Sequence, residues 1–173
     1  MVPGLTLMVV ESVRVHMLSS QHVVILRDAD GTRYLPIWIG TAEADAIARR
    51  LQGITPERPL THDLFANTLH ELGVAIKQVV VSDLADETFR AQLILELAER
   101  TVGIDARPSD AIALAIRTGV PIFATDAVLD RAGVTPEPED EMRLSVFREF
   151  VNSLDVDLGG SPGQDEGPER RPD

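Results

Sequence analysis

Alternation with period two opens the chain. Between Leu5 and Met17, Val13, Val15 and Met17 alternate with Arg14 and His16, the pattern of a half-buried strand. His22 to Arg27 predicts a second strand, and Asp28-Ala29-Asp30-Gly31 predicts a hairpin turn with Gly31 at positive φ. Arg33 to Ile39 predicts a third strand, with Leu35, Ile37 and Ile39 on one face; Pro36 suits an edge or a strand start. Trp38 points the other way and is expected in core or under a lid; an exposed Trp there would signal an interface. The period then becomes helical. Ala44, Ile47, Ala48 and Leu51 share a face, Thr41 is the expected cap and Gly53 the stop. Ile54 to Leu60 holds two prolines and reads as loop. Thr61 is expected to cap a second helix through Leu72, ended by Gly73. Its Leu64, Phe65, Thr68, Leu69 and Leu72 are expected to face the core, with Asp63, Asn67 and His70 on an open polar face.

Strand periodicity returns at Val74 to Ser82, with a bulge expected where Ile76 and Val79 break the alternation. After a turn at Leu84-Ala85-Asp86, Thr88 to Glu96 alternates with Phe89, Ala91, Leu93 and Leu95 inward. Val102 to Asp126 then reads as strand, polar turn, helix and strand. Pro108 excludes a strand interior, Ser109 and Asp110 favour a helix start, and Gly119 suits the helix end. Asp126 to Ala132 is a short helical piece closed by Gly133. Glu139 to Leu154 predicts an amphipathic helix with Phe147, Phe150, Val151 and Leu154 aligned, its acidic start suiting the helix dipole. From Gly159 onward the composition predicts disorder.

IWIGTAEADAIA at Ile37 to Ala48 resembles VGIDARPSDAIA at Val102 to Ala113, and each follows two strand-like runs. This alignment sets Asp45 against Asp110. Asp45 has Arg49 one turn on, whereas Asp110 has Leu114 there, so the second turn is the better candidate for chemistry. The expected fold is α+β: duplicated β-β-β-α units forming a mixed sheet covered by helices, plus a C-terminal amphipathic helix. Residues 1–133 form the domain, 134–158 a linker and a helix packed on it, and 159–173 an acidic tail.

Composition narrows the function. The chain lacks cysteine, which removes disulfides and thiolate chemistry and fits a cytoplasmic setting. No apolar run approaches the ~20 residues of a membrane span, and no signal peptide is evident. The net charge of -12 and the absence of a Lys/Arg-rich run oppose non-specific nucleic-acid binding. No phosphate loop, serine elbow or dinucleotide fingerprint occurs, and no organic cofactor is expected. Exposed sheet edges point to a homodimer.

Asp105, Arg107 and Asp110 are the first candidate site. Asp105 and Asp110 are candidate ligands for Mg²⁺ or Mn²⁺, and Arg107 for a phosphate. A structural reading stands beside it: Ser109 or Asp110 caps the helix and Arg107 pairs with Asp105. His62 is a candidate acid or base; its neighbour Asp63 cannot orient it, since adjacent helix residues do not face each other. Glu43 lies in the first turn, as a cap or a catalytic group.

LPIWIGTAEADAI (Leu35 to Ile47), RPLTHDLFANTLHELG (Arg58 to Gly73) and DARPSDAIALA (Asp105 to Ala115), followed by PIFATDAVL, together resemble the bifunctional nuclease domain family over roughly residues 5–133. The resemblance implies an α+β domain and a nuclease acting on RNA and DNA, and brings no catalytic mechanism with it; metal-assisted phosphodiester hydrolysis is the expected chemistry, with Asp105, Arg107, Asp110, His62 and Glu43, chosen from the residues themselves, as the expected site. The acidic balance favours the alternative, a non-catalytic dimeric regulatory or ligand-binding module.

Overall fold

The computed structural model describes residues 4–135, apart from 17, 18, 32 and 99. Three strands come first: β1 (Leu5–His16), β2 (Gln21–Asp28) and β3 (Tyr34–Ile39). Helices α1 (Thr41–Leu51) and α2 (Thr61–Glu71) follow. Then come β4 (Val74–Ala85), β5 (Thr88–Leu97), β6 (Arg100–Ala106), α3 (Pro108–Thr118), β7 (Ile122–Thr125) and α4 (Asp126–Ala132). The architecture is α+β. Among the described residues the strands form one mixed sheet of seven, ordered β3-β2-β1-β7-β4-β5-β6. Each set of three consecutive strands is an antiparallel meander. The short β7 joins the meanders, antiparallel to β1 and parallel to β4. β3 sits at the sheet edge, where Pro36 can lack its N–H without breaking a ladder.

One continuous core lies between sheet and helices. Val24, Leu26, Leu35 and Ile37 meet Val79, Val81, Ala91 and Leu93 across it, with Ile47 of α1 and Val128 and Leu129 of α4. α3 is buried nearly all round, from Pro108 to Ala115 except at Asp110. Its alanines keep it slim enough to lie under α1 and α2 and over β4 and β5. The expected bulge appears as a register shift between Ile76 and Gln78. No described helix is long and apolar enough to cross a membrane. The helix expected over 139–154 and the tail from 159 lie outside the described residues.

Four expectations need correction. β4 runs on to Ala85, so the turn is Asp86-Glu87, both at positive φ, which matches the twist of a two-residue hairpin. Thr41 and Thr61 are the first residues of their helices, not caps. The Thr41 hydroxyl lies 3.5 Å from the His22 ring, and the free N–H of Leu60 before α2 donates to Asp63 at 3.0 Å. Trp38 is 53% exposed. It opposes Val23 in the ladder, on the face of β2 turned away from the main core.

The fourth correction is the orientation of α2. Leu64 is 61% and Leu72 67% exposed, with Phe65 also exposed, while Ala66 packs on the core. His62 and Asp63 turn toward the domain, where α3 supplies partners for both, and of the expected core residues Leu69 is half-buried. Here ion pairs, not the apolar stripe, decide which face of the helix is inside.

Candidate active site

Two helix starts meet at the site. One residue separates β3 from α1, Gly40, and one separates β6 from α3, Arg107. In each helix the third residue is a carboxylate: Glu43 in α1 and Asp110 in α3. A first-turn carboxylate is favoured by the positive end of the helix dipole. Helix position therefore matches Asp110 with Glu43, and corrects the sequence alignment that matched it with Asp45. The offset is two residues because β6 runs on through Ala106, two residues past the position aligned with the end of β3, so α3 starts that much later than α1.

Arg107 bridges both carboxylates. Its Nε donates to Asp110 Oδ2 at 2.6 Å and its Nη2 to Glu43 Oε1 at 2.7 Å. These bonds raise the Arg107 pKa above its ordinary value, Asp110 contributing most and Glu43 next. Gly40 makes the bridge possible. A Cβ there would stand 2.2 Å from Glu43 Oε2, so any larger residue displaces the carboxylate.

His62, from the first turn of α2, completes the network. Its Nε2 lies 2.9 Å from Asp110 Oδ1. An ionised carboxylate only accepts, so Nε2 is the donor; in the neutral imidazole Nδ1 is then the basic nitrogen. Burial pushes the Asp110 carboxyl up, but the hydrogen bonds from Arg107 and then His62 outweigh it and hold the group below the usual carboxylate value. Asp110 stays ionised to orient the ring, a geometry suited to a general base.

Four of the five expected residues thus come together: Glu43, His62, Arg107 and Asp110. Asp105 stands apart, exposed on β6 opposite Gln92, with no ion pair or side-chain hydrogen bond among the described residues. Neither structural alternative holds as expected. No side chain caps α3, and Arg107 pairs with Asp110 and Glu43 rather than Asp105. The donor set also does not fit a ready-made divalent-ion site. Both Asp110 oxygens already accept from cationic or imidazole groups, and no group of three His, Asp or Glu residues among those described could hold a metal.

Two arginines escaped the sequence reading. Arg117 is 7% exposed and binds all three helices: Asp63 of α2 at 2.6 Å, Ala46 O of α1 at 3.1 Å and Ala113 O of its own helix at 2.9 Å. Arg50 of α1 donates in turn to Ile116 O and Arg117 O of α3. The available signal was position: each is the tenth residue of its helix. Burial pushes the Asp63 carboxyl up, but Arg117, the Leu60 N–H and the charge of Arg50 hold it below its ordinary value. The polar residues foreseen on α2, Asp63, Asn67 and His70, line a cavity of about 410 Å³ together with Arg50 and Arg117.

The bifunctional nuclease domain model matches residues 24–137. An uncharacterized protein of Mycobacterium tuberculosis is 44% identical over 157 residues, 86% of this chain and 94% of that protein. Bifunctional nuclease 1 of Oryza sativa subsp. japonica is 26% identical over 126 residues, 69% of this chain and 38% of the plant protein. Bifunctional nuclease 1 of Arabidopsis thaliana is 29% identical over 103 residues, 57% of this chain and 32% of the plant protein. The chain so spans only 32–38% of these plant relatives. The matched segment contains the whole Glu43–Arg107–Asp110–His62 network, and the chain belongs to the bifunctional nuclease domain family.

Proposed function

We propose that the chain hydrolyses phosphodiester bonds of RNA or DNA at the network where α1, α2 and α3 meet. The observation that carries the reading is the His62–Asp110–Arg107 arrangement, with a base, its orienting carboxylate and an exposed guanidinium in direct contact. Arg107 spends two of its five donors on Glu43 and Asp110 and keeps the others for phosphate oxygens. His62 Nδ1 takes the proton of an attacking water. The water oxygen bonds to phosphorus, the ester P–O bond breaks, and the leaving oxygen takes a proton from solvent. Asp105 is left outside the reaction.

A second reading has its own support. Every charged member of the network is already satisfied within the chain, and net charge is -12. In that reading the cluster only holds three helices together, in a regulatory or ligand-binding module. The purified chain is assayed on single-stranded RNA and DNA, without metal and with Mg²⁺ or Mn²⁺. The catalytic reading expects cleavage that His62→Gln and Asp110→Asn each reduce about 10²- to 10⁴-fold while circular dichroism stays native. Cleavage untouched in both folded variants removes this site, and no cleavage under any condition favours the module. We also take the chain to be cytoplasmic, to form a homodimer, and to have arisen by duplication of the β-β-β-α segment.

A further inference from the structure

A groove of about 370 Å³ opens beside the network, and Arg107 is the residue they share. Gln21, His22 and Trp38 from β2 and β3, Glu87 and Phe89 from the β4–β5 hairpin, and Arg107 just before α3 all line it. The groove has two kinds of recognition surface. Arg107, with its side chain 66% exposed, offers guanidinium donors beyond those given to Glu43 and Asp110. Trp38 offers a large apolar face. It is 53% exposed on an edge strand, on the opposite face of β3 from the core residues Leu35 and Ile37. Exposing an indole this far forgoes a substantial burial gain, so its place on the rim of a polar groove calls for a partner with a flat apolar face.

Gly40 fixes the spacing. It lies two residues after Trp38 and is pressed against Glu43, which Arg107 holds. The aromatic rim and the guanidinium are thereby tied to one short stretch of backbone. A nucleotide is the chemistry that presents a flat π-surface and an anion at such neighbouring positions. Glu87 is the acid among these lining residues and works against a long phosphate track. The groove therefore suits one or two nucleotide units, not a duplex, whose bases are already stacked on each other.

We infer that Trp38 is a base-stacking platform for an unpaired nucleotide whose phosphate is held by Arg107. This rests on the nuclease reading above and adds to it a subsite and a substrate form. Trp38 is a positioning residue here, since the reacting atoms lie at Arg107 and His62.

The chain contains one Trp, so its emission reports this groove alone. The full chain is titrated with a short oligothymidylate, the abasic oligomer of the same length, and inorganic phosphate. The expected result is saturable quenching by oligothymidylate and none by the other two. Anisotropy of a labelled oligothymidylate is then measured with Trp38→Ala and Trp38→Phe. The Ala variant is expected to bind about tenfold or more weakly, the loss of one base–aromatic stack, and the Phe variant to keep most of the affinity. Unchanged emission with oligothymidylate, or equal quenching by the abasic oligomer, overturns the inference. If cleavage persists in that case, the nuclease reading survives it. Quenching with no cleavage under any condition leaves the platform standing and removes the nuclease reading.

Discussion

Gly40 and Arg107 occupy the same place, the single residue between a third strand and the helix that follows it. One has no side chain and the other has the longest reach to an anion, and the site depends on that contrast. Arg107 crosses to Glu43 only because nothing projects from Gly40. The backbone at Gly40 is at φ -71, a value any residue adopts, so the requirement is for space alone. Gly40→Ala should push aside only the flexible end of Glu43. Its cost to stability is expected within about 1 kcal/mol, because the Glu43–Arg107 bond is reached by an exposed arginine. On the proposed nuclease reading, catalysis should respond more. With one anchor lost, Arg107 is misplaced, and kcat/KM on single-stranded substrate is expected to fall by up to about 100-fold. Urea unfolding and steady-state kinetics on the same preparation check this. A stability loss of several kcal/mol, or unchanged kinetics, would show that Gly40 serves the fold and not the arginine.

At the scale of helices, Arg117 ties α2 to α1 and α3, beside the apolar contacts made by Ile47, Ile112 and Leu114. Removing this guanidinium leaves Asp63 charged and partly buried. Arg117→Ala is expected to cost about 3 kcal/mol at pH 7, near the low end for orphaning a buried partner, since Asp63 keeps some water. The pH dependence gives a sharper test. Asp63 and Asp110 are held below their ordinary pKa in the folded chain, so their contribution is complete above the unfolded carboxylate value, about pH 4. It is lost as pH falls through the lower folded values. The variant lacks the Asp63 share, so its urea midpoint should fall less steeply than wild type between about pH 5 and pH 3. Parallel curves would mean that Asp63 gains nothing from Arg117. The same helices show what a single chain reveals. Strand alternation, the positive-φ glycines at 31, 53, 73 and 119, and the acidic first turns were readable because each is set by neighbours in sequence. The partners were not. His62 and Asp110 are 48 residues apart and Arg107 and Glu43 are 64 apart, so periodicity carries no trace of either pair. The orientation of α2 is hidden for the same reason: Arg117, which claims Asp63, lies 54 residues away.

For the molecule as a whole, that orientation leaves an apolar surface on the outside. Leu64 and Phe65 stand exposed on α2, and Leu60 just before it and Leu72 just after it are exposed as well. Contiguous apolar faces of this kind mark contact sites on proteins otherwise rich in charge. A twofold pairing of α2 with α2 would bury the leucines of both copies against each other, whereas pairing through the β3 edge would leave them in water. The proposed homodimer is therefore expected to use α2. Sedimentation equilibrium should return twice the chain mass at micromolar concentration, and Leu64→Glu with Leu72→Glu should return the single mass. The double variant should fold normally, because no residue of α2 is buried. If it remains dimeric, the contact lies elsewhere, and Trp38 says where. Pairing along β3 would cover the indole and shield its emission from acrylamide, while pairing through α2 leaves it as accessible in the dimer as in the monomer.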